Sequence, residues 1–400
     1  MSKDFLERSK QRAADFTRNR KMNFAQLLTV MMNLVKTSTQ TALDRFFCLV
    51  ETPEVHMTQQ SFSEARQKLR PEACHELFLH TVERVYAYEV NRWHGMVVVA
   101  IDGSKIQLPD DKRLLQTFGG MGRDNDSPTA QASAAYDVLN DIIIDAEIEP
   151  LLVSEQELAA KHIDRISKTS GLEKTLLLLD RGYSSSPLMT LAEDKGLKFV
   201  VRVRRKFNVD IDALGCGVHD FVLPSGLDAR VIKFELPSGE IETLITNLFD
   251  ARMKINAFKQ LYFLRWPVET QYGKMKLKLE VENFSGRTEV AIRQDFYITA
   301  MLSNIVAIGI QEAQPVVDFA TEGKGNKHRY KVNVNHAIGT FKDRFILALL
   351  DPHPETRAIK TEEIIQLLCK HTVPERKGRS RPRNPFPRKA RFNHNMKSNC

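Results

Sequence analysis

Apolar residues recur with a helical period through the first 92 residues, and this pattern predicts an almost entirely helical segment. Within residues 23–35 the repeat is regular, and Asn23 stands where a helix N-cap is expected. Ser61 and Glu64 have the spacing of a capping box at the start of another helix. Residues 1–92 are therefore predicted to form a helical domain.

The helix that follows Ser61 carries a cluster of polar and basic residues, namely Arg66, Gln67, Lys68 and Arg70. Two short helices with an arginine-bearing second member fit a helix-turn-helix that binds DNA. A small helical bundle with a solvated basic face fits the same pattern equally well. Residues 1–21 add seven Lys and Arg residues against three acids, and this balance favours a DNA-binding domain.

At Met96 the period changes to one that is typical of β-strands. Residues 96–101 are a short apolar run rich in β-branched residues, which predicts a buried strand that ends at Asp102. An Asp-Gly turn at that point would lead into a second strand over residues 104–108.

Downstream of this region the pattern alternates between strands and helices. It predicts a hairpin over 131–149, a helix over 154–168, a buried strand over 174–179, a helix over 185–195 and a strand over 197–204. The strand over 174–179 delivers a second aspartate, Asp180, at its end. Strands that alternate with helices are typical of an α/β core.

Residues 207–249 hold two Pro-Ser-Gly turns between short alternating strands, which predicts a small all-β insertion. A helical pattern resumes near Lys254 and recurs near 289–312, 338–350 and 361–370. The predicted domains are a helical DNA-binding domain over 1–92, an α/β core over 93–206 and 250–320, the insertion over 207–249, and C-terminal helices with a basic tail over 321–400.

Four residues near the resumed helix share one face if the helix is straight. Tyr262, Arg265, Glu269 and Lys276 have offsets of 0, 3, 7 and 14. At about 100° per residue they fall within an arc of about 60°. Glu269 and Lys276 are too far apart for the usual pairing of residues on neighbouring turns, so both are predicted to face something else. Pro267 lies inside this stripe and favours either a helix that starts near it or a bend.

The net charge of +8 is concentrated at the C-terminal end. Residues 376–400 carry nine Lys and Arg residues and no acid, which leaves −1 for the rest of the chain. The tail mixes arginine with proline, a composition that disfavours regular structure and is typical of arms that bind phosphate backbones. A solvated terminus that aids solubility is the alternative.

The bulk composition is that of a soluble globular protein of several structural units. The chain has 400 residues, of which 42% are hydrophobic and 27% charged, and no run of 18 apolar residues predicts a membrane span. Its N-terminus is charged and lacks an apolar signal core. The five cysteines form no paired framework, which predicts free thiols and a cytoplasmic location.

Each of three acidic residues can be interpreted either as an ordinary structural residue or as a functional one. Asp102 before glycine fits a turn, Asp180 fits a helix cap or a partner for Arg181, and Glu269 fits a solvated helix acid. Alternatively, carboxylates at the ends of adjacent strands converge with one on a helix. Repulsion between them would be relieved by Mg²⁺ or Mn²⁺, and two such ions support phosphodiester chemistry.

The strings that carry these residues resemble the IS4 family of bacterial DDE transposases. The Ile-Asp-Gly-Ser string at Asp102, the Asp-Arg-Gly-Tyr string at Asp180 and the downstream stripe all match. The family signature is Y-(2)-R-(3)-E-(6)-K, and it is met at Tyr262, Arg265, Glu269 and Lys276 with the same spacing. The resemblance covers about residues 60–310.

This resemblance implies an RNase H-like catalytic core with the β insertion between Asp180 and Glu269. It implies that Asp102, Asp180 and Glu269 are catalytic and bind two Mg²⁺ or Mn²⁺ ions per active site. The DNA-binding residues that it implies are Tyr262, Arg265 and Lys276, to which we add Trp266, either stacked on a base or buried in the core.

The function predicted in this way is that of an insertion-sequence transposase. It would bind double-stranded DNA at terminal inverted repeats, cut it, and transfer the ends into target DNA as a homodimer in a synaptic complex. We expect a bacterial cytoplasmic location, associated with the nucleoid when DNA is bound, and no membrane partner. Two alternatives are an RNase H-like nuclease of other purpose and a transposase-derived DNA-binding protein without catalysis.

Overall fold

The computed structural model describes residues 3–18, 21–33, 38–50, 52, 54–250, 252–265, 273, 275–276 and 278–376. The chain divides into two compact units. The first, which we call the helical unit, comprises Met1–Leu77, Leu108–Leu114 and Met275–Cys400. The second, which we call the sheet unit, comprises Phe78–Gln107 and Leu115–Lys274.

The sheet unit is built on a mixed β-sheet flanked by helices. Its strands are β1 (Val97–Gln107), β2 (Gly120–Met121), β3 (Ser127–Asp137), β4 (Ile142–Pro150), β5 (Thr175–Leu179), β6 (Lys198–Arg202), β7 (Gly217–Val222), β8 (Asp228–Glu235) and β9 (Ile241–Thr246). Its helices are α7 (Glu155–Lys168), α8 (Ser186–Asp194), α9 (Val209–Ala213) and α10 (Ile255–Phe263). The predicted mixed α/β class is confirmed.

These strands form one nine-stranded sheet in the order β2-β3-β1-β5-β6-β9-β8-β7, and β4 also pairs with β3. Strands β1, β3 and β4 form an antiparallel meander, and β5 and β6 continue the sheet parallel to β1. Strand β5 is buried at every position, as expected for a strand in a sheet covered on both faces.

Strand β1 runs through the position at which a turn was predicted. Asp102 and Gly103 lie inside it and pair with Ala134 and Ser133 of β3. The prediction of an Asp-Gly turn between two strands is therefore wrong. The reason is that β3 pairs with β1 continuously from Val99 to Gln107, and this long ladder holds the backbone of the dipeptide extended.

The segment 207–249 extends the same sheet. Strand β9 pairs antiparallel with β6, and β8 and β7 follow it toward the edge. The segment is not all-β as predicted, because Asn208 caps the short helix α9 by accepting from the backbone N–H groups of Asp210 and Ile211.

The helical unit contains two groups of elements. Near the N-terminus are α1 (Lys3–Ser9), α2 (Phe24–Asn33), α3 (Thr39–Leu49) and α4 (Gln59–Arg66), and α5 (Pro71–Tyr86) and α6 (Lys112–Phe118) each run from this unit into the sheet unit. Near the C-terminus are α11 (Glu289–Thr321), β10 (Tyr330–Val332), α12 (Val334–Leu350), α13 (Pro354–Lys370) and β11 (Thr372–Pro374).

Helix α11 is longer than the predicted 289–312 and continues through Pro315. Ala313 and Val317 on either side of the proline are buried in a hydrophobic cluster with residues of α12 and α13, and this packing holds the helix together beyond the proline. By length and composition α11 could cross a bilayer, but 72% of its most apolar window is buried within the protein. A core helix of a soluble protein meets the same criterion, so this is weak support for a membrane span.

Two predicted caps have different outcomes. Asn23 caps α2 as predicted, because its Oδ1 accepts from the Gln26 N–H at 2.9 Å while Gln26 Oε1 accepts from the Asn23 N–H. The start predicted at Ser61 is wrong, because α4 begins one turn earlier and Thr58 provides the cap.

Arg66 does not belong to an exposed basic face. Its side chain is 1% exposed and reaches Asp295 of α11 at 2.7 Å and Gln294 at 2.9 Å. It also donates to Ser285, whose hydroxyl in turn hydrogen-bonds Asp295. The interpretation of Arg66 as part of a DNA-facing cluster is therefore wrong, because an internal carboxylate holds its guanidinium inside the unit.

Candidate active site

Asp102 and Asp180 lie next to each other at the point where β1 and β5 separate. The parallel register pairs Ile101 with Leu179, which are the last residues of the β1–β5 ladder. The residues that follow are Asp102 and Asp180, and adjacent strands are about 4.8 Å apart. Register, rather than a shared motif, brings these two carboxylates together at the carboxyl end of β5.

Asp180 is held by the backbone of the next residue and by two residues at the end of α10, one inside the helix and one just beyond it. It caps the 3-10 turn Arg181–Tyr183, with Oδ1 accepting from the Arg181 N–H at 2.6 Å. The Tyr262 hydroxyl donates to the same oxygen at 3.4 Å, and Arg265 Nη2 lies 3.9 Å from Oδ2. Tyr262 and Arg265, two members of the tyrosine-arginine-glutamate-lysine signature, are thus placed against Asp180.

Tyr262 and Arg265 are themselves largely buried. Arg265 is 4% exposed, and its guanidinium carbon lies 5.9 Å from the centre of the Tyr262 ring, within the range of a cation–π contact. Burial raises the pKa of Tyr262, and the charge of Asp180 raises it further. The phenol therefore keeps its proton at neutral pH and acts as a hydrogen-bond donor.

The straight helix assumed for the signature residues is wrong. Helix α10 ends at Phe263, where Leu264 forms the C-cap, so Tyr262 lies in its last turn and Arg265 lies beyond it. Lys276 belongs to the helical unit, in which its Nζ lies 3.6 Å from Glu282 Oε1. Glu269 and Trp266, like Pro267, lie outside the described residues.

A further acidic side chain, Glu155, lies against β1 at Gly103, on the face of the strand opposite to the Asp102 side chain. A Cβ built on Gly103, the neighbour of Asp102, would be 2.8 Å from Glu155 Oε1. A Cβ built on Gly182, two residues after Asp180, would be 4.0 Å from Glu155 Oε2. The Glu155 carboxylate therefore lies near the backbone of both Gly103 and Gly182.

The sequence pattern did not single out Glu155. Glu155 is the first residue of α7, directly after the N-cap Ser154, whose capping box with Glu157 fixes where the helix begins. An acid at the first position of a helix that follows the meander was the available signal. The first turn of a helix favours carboxylates, so that signal alone also fits a purely local role.

Tyr183 follows Asp180 in the same 3-10 turn and has a buried hydroxyl. Its side chain is 1% exposed, and within the described ranges its hydroxyl has no hydrogen-bond partner. Burial raises its pKa, and the charges of Asp102, Glu155 and Asp180 raise it further, in that order. The Tyr183 phenol therefore keeps its proton at neutral pH.

A buried polar network supports β1 behind the acids. His162 Nδ1 lies 2.6 Å from Asp145, its Nε2 lies 3.0 Å from Ser133 Oγ, and the Ser133 hydroxyl donates to the Asp102 backbone carbonyl at 3.3 Å. Serine, histidine and aspartate in this order also occur in hydrolases. Here all three are at most 1% exposed, so no substrate reaches them and their role is structural.

The two aspartates at the point where β1 and β5 separate fit a hard divalent cation. Asp102 and Asp180 offer only carboxylate oxygens, and such oxygens are the ligands of Mg²⁺ and Mn²⁺. Two carboxylates on adjacent strands repel each other, and a bound cation would relieve this repulsion. Zinc would favour histidine and thiolate ligands instead.

Comparison with known proteins identifies the family to which the chain belongs. The transposase DDE domain family matches residues 93–305, which include Asp102, Glu155, Asp180, Tyr262 and Arg265. The match covers more than half of the chain, and the chain belongs to this family. Membership of the family implies the use of a divalent metal.

Two individual proteins are also similar to the chain. The "Putative transposase InsZ" of Escherichia coli (strain K12) is 26% identical over 146 residues, which are 35% of this chain and 47% of that protein. The chain thus matches about half the length of this relative. The piggyBac transposase, in a synaptic complex with hairpin DNA, is similar with a TM-score of 0.45 at 12% identity, over 85% of this chain and 74% of that one.

Proposed function

We propose that the protein is a transposase of an IS4-type insertion sequence, with an RNase H-like catalytic core. In this proposal it binds terminal inverted repeats, cleaves the DNA at the element ends and joins the freed ends to target DNA. The observation that carries the proposal is the β1–β5 register, which sets Asp102 beside Asp180 within the region matched by the family. The meander continued by two parallel strands supports the core assignment.

In the proposed site Asp102, Asp180 and Glu269 hold two Mg²⁺ or Mn²⁺ ions. Such ions, when bound, activate water and stabilise the leaving oxygen of a phosphodiester. The protein contributes the position and charge of its side chains. The backbone of Arg181 and the hydroxyl of Tyr262 fix the Asp180 carboxylate, so little reorganisation is needed when the site is filled.

The proposed phosphate contacts come from the cationic members of the signature. Arg265 lies within 4 Å of Asp180, so its guanidinium stands where a phosphate approaching this carboxylate would meet it. Lys276 is proposed to contribute a second cation, and the neutral Tyr262 hydroxyl a hydrogen bond. We further propose a homodimer that pairs two DNA ends and a cytoplasmic, nucleoid-associated location.

The test is a set of charge-removing substitutions that keep the side-chain shape. Asp102→Asn, Asp180→Asn and Glu269→Gln are each expected to abolish Mg²⁺-dependent cleavage of DNA that carries the element ends. Binding of the same DNA, measured by gel shift, is expected to stay nearly unchanged. Full cleavage by one variant would remove that residue from the site.

Two further outcomes separate the alternatives. Cleavage without joining of a 3′-end to target DNA would identify a nuclease of other purpose. Binding without cleavage in Mg²⁺ or Mn²⁺ would identify a non-catalytic DNA-binding protein. Inverted repeats and short direct duplications that flank the coding region would support the proposed element directly.

A further inference from the structure

We propose that residues 323–329, which we call the basic loop, are a binding surface for the phosphate backbone of double-stranded DNA. The inference rests on the proposed function, because it takes DNA as the partner of the protein. It goes beyond that proposal, because the loop lies in the helical unit and contains none of the residues assigned to the metal site or to the tyrosine-arginine-glutamate-lysine signature.

The first argument is the charge of the basic loop. Its sequence, Gly-Lys-Gly-Asn-Lys-His-Arg, holds three cations and no acid, and it lines a concave surface of about 790 Å³ at the end of α11. Lys324 and Lys327 are exposed, and within the described part of the chain neither forms an ion pair. An ammonium group offers three donors and no acceptor, so both lysines suit an anionic ligand.

The second argument is that the acid closest to the loop in the last turn of α11 is already paired. Arg329 Nε donates to Asp318 Oδ1 at 3.0 Å, and the same oxygen accepts from Gln314 Nε2 at 2.9 Å. The charge of Asp318 is thus balanced by Arg329 rather than by either lysine. One further acid, Glu322, precedes the loop, so the surface keeps a net positive charge.

The third argument is the distance of the lysines from the helix end. Cations near the C-terminus of a helix often only balance its dipole, and this effect is confined to the last turn. Helix α11 ends at Thr321, so Lys324 and Lys327 follow three and six residues later. A purely local role therefore does not account for Lys327.

The fourth argument is that the loop is held at both ends. Gln314 of α11, before the loop, donates to the Tyr330 carbonyl at 2.9 Å and accepts from the Val332 N–H at 3.1 Å. Strand β10, directly after the loop, is thus tied to α11. A loop that is anchored in this way loses less conformational entropy when it binds a ligand.

The fifth argument is the place where the basic tail begins. Strand β11 pairs with β10, and the Glu375 N–H donates to the Arg329 carbonyl at 2.7 Å. The exposed Arg376 follows directly and is the first of the nine cations in residues 376–400. Consecutive cations fit a ligand whose negative charges repeat, as they do about every 3.4 Å along a DNA strand, better than they fit a single anion.

The test measures the salt dependence of DNA binding by the full-length protein. The variant is Lys324→Gln/Lys327→Gln, and the probe is a fluorescent DNA duplex of arbitrary sequence, followed by anisotropy over a salt series. The slope of log affinity against log salt concentration is expected to fall by about 1.8, because each lysine that neutralises a phosphate contributes about 0.9. A duplex that carries the element ends is expected to show the same fall, since backbone contacts carry no sequence information.

Lys112→Gln/Lys174→Gln is the matched control. It removes the same charge from two exposed lysines outside the loop, neither of which forms an ion pair with a described residue. The slope is expected to stay at the wild-type value, because it counts the phosphates in contact with the protein.

Lys324→Arg/Lys327→Arg tests whether charge is the property that matters. It is expected to keep the wild-type slope, because arginine also contacts phosphate. Circular dichroism and thermal melting check the folding of each variant, and exposed substitutions are expected to melt close to wild type.

Three outcomes overturn the inference. One is a folded Lys324→Gln/Lys327→Gln variant with the wild-type slope. Another is an equal fall in this variant and in the Lys112→Gln/Lys174→Gln control, because the effect would then be one of net charge. The third is unchanged DNA binding with an altered oligomeric state in sedimentation, which would assign the loop to an interface between copies of the chain.

The outcomes also separate this inference from the proposed function. A wild-type protein that binds and cleaves element ends, with an unchanged slope in the loop variant, rejects only the role of the loop. A wild-type protein that binds no DNA at any salt concentration rejects both. Binding without cleavage, with the expected fall in slope, rejects the proposed catalysis and supports the loop.

Discussion

Asp180 combines two interpretations that its sequence context had left as alternatives. Its carboxylate caps the 3-10 turn through the Arg181 N–H and also faces Tyr262 and Arg265. The capping hydrogen bond from the Arg181 N–H uses Oδ1, and the carboxylate remains at the carboxyl end of β5. A helix-cap motif and a site residue are therefore compatible at one position, because a carboxylate has two oxygens and several acceptor directions.

At the same scale, we predict a structural role for Arg66. Arg66→Met leaves Asp295 without its guanidinium partner inside the helical unit. Removal of one member of a buried ion pair costs about 3–5 kcal/mol, so the free energy of unfolding in urea is expected to fall by about that amount.

Arg70→Met is the matched control for this prediction, because Arg70 lies four residues further on and is exposed. We expect its free energy of unfolding to change by less than about 0.5 kcal/mol. If Arg66→Met weakened DNA binding but not stability, the assignment of Arg66 to the interior would be wrong.

At the scale of elements, the sequence-based predictions and the structure differ most in where helices and strands end. Strand β1 continues through Asp102 and Gly103 because β3 pairs along it, and α11 continues through Pro315 because its neighbours bury it. Helix α10, by contrast, ends at Phe263. Local signals such as an Asp-Gly pair or a proline favour a break in the element. In β1 and α11, long-range strand pairing or packing overrides that preference.

Two helical glycines of the helical unit provide an element-scale prediction with opposite signs. A Cβ on Gly309 of α11 would lie 2.4 Å from Phe341 Cζ of α12, whereas a Cβ on Gly339 of α12 meets nothing within 4 Å. Gly339→Ala is expected to raise stability by about 0.5–1 kcal/mol through helix propensity.

Gly309→Ala gains the same propensity but overpacks the contact with Phe341, which costs about 1–3 kcal/mol. The two variants are expected to differ by about that cost in the free energy of unfolding, measured by chemical denaturation. Equal stabilisation by both substitutions would contradict the close approach of α11 and α12 at Gly309.

At the scale of the whole molecule, charge is distributed unevenly along the chain. Residues 376–400 carry nine cations and no acid, and the rest of the chain sums to −1. Long-range attraction to a phosphate backbone is therefore expected to depend strongly on the tail, while the candidate active site in the sheet unit depends on a few placed side chains.

Removal of residues 377–400 is predicted to lower the salt dependence of DNA binding. Each tail cation that neutralises a phosphate contributes about 0.9 to the slope of log affinity against log salt concentration. The slope, measured by fluorescence anisotropy over a salt series, is therefore expected to fall by several units.

A tail of equal length with its Lys and Arg residues replaced by Gln is the control for chain length. It is expected to behave like the truncated protein, because the effect depends on charge. An unchanged slope in both proteins would instead assign the tail the role of a solvated terminus.

Much of the candidate site could be predicted from the sequence, because the relevant signals are local. An apolar run that ends in an aspartate is visible without a structure, and this placed Asp102 and Asp180 at their strands. The tyrosine-arginine-glutamate-lysine spacing likewise identified Tyr262 and Arg265. Both signals lie within short segments, so they are visible in a single amino-acid sequence.

The remaining features depend on residues that are far apart in the chain. The register that joins Ile101 to Leu179, the burial of Arg66 against Asp295 and the position of Glu155 against Gly103 all arise from contacts across dozens or hundreds of residues. No local pattern encodes such contacts, because they are set by strand pairing and close packing. Amino-acid order alone therefore identifies the acids that follow buried apolar runs, and folding determines which of them lie next to each other.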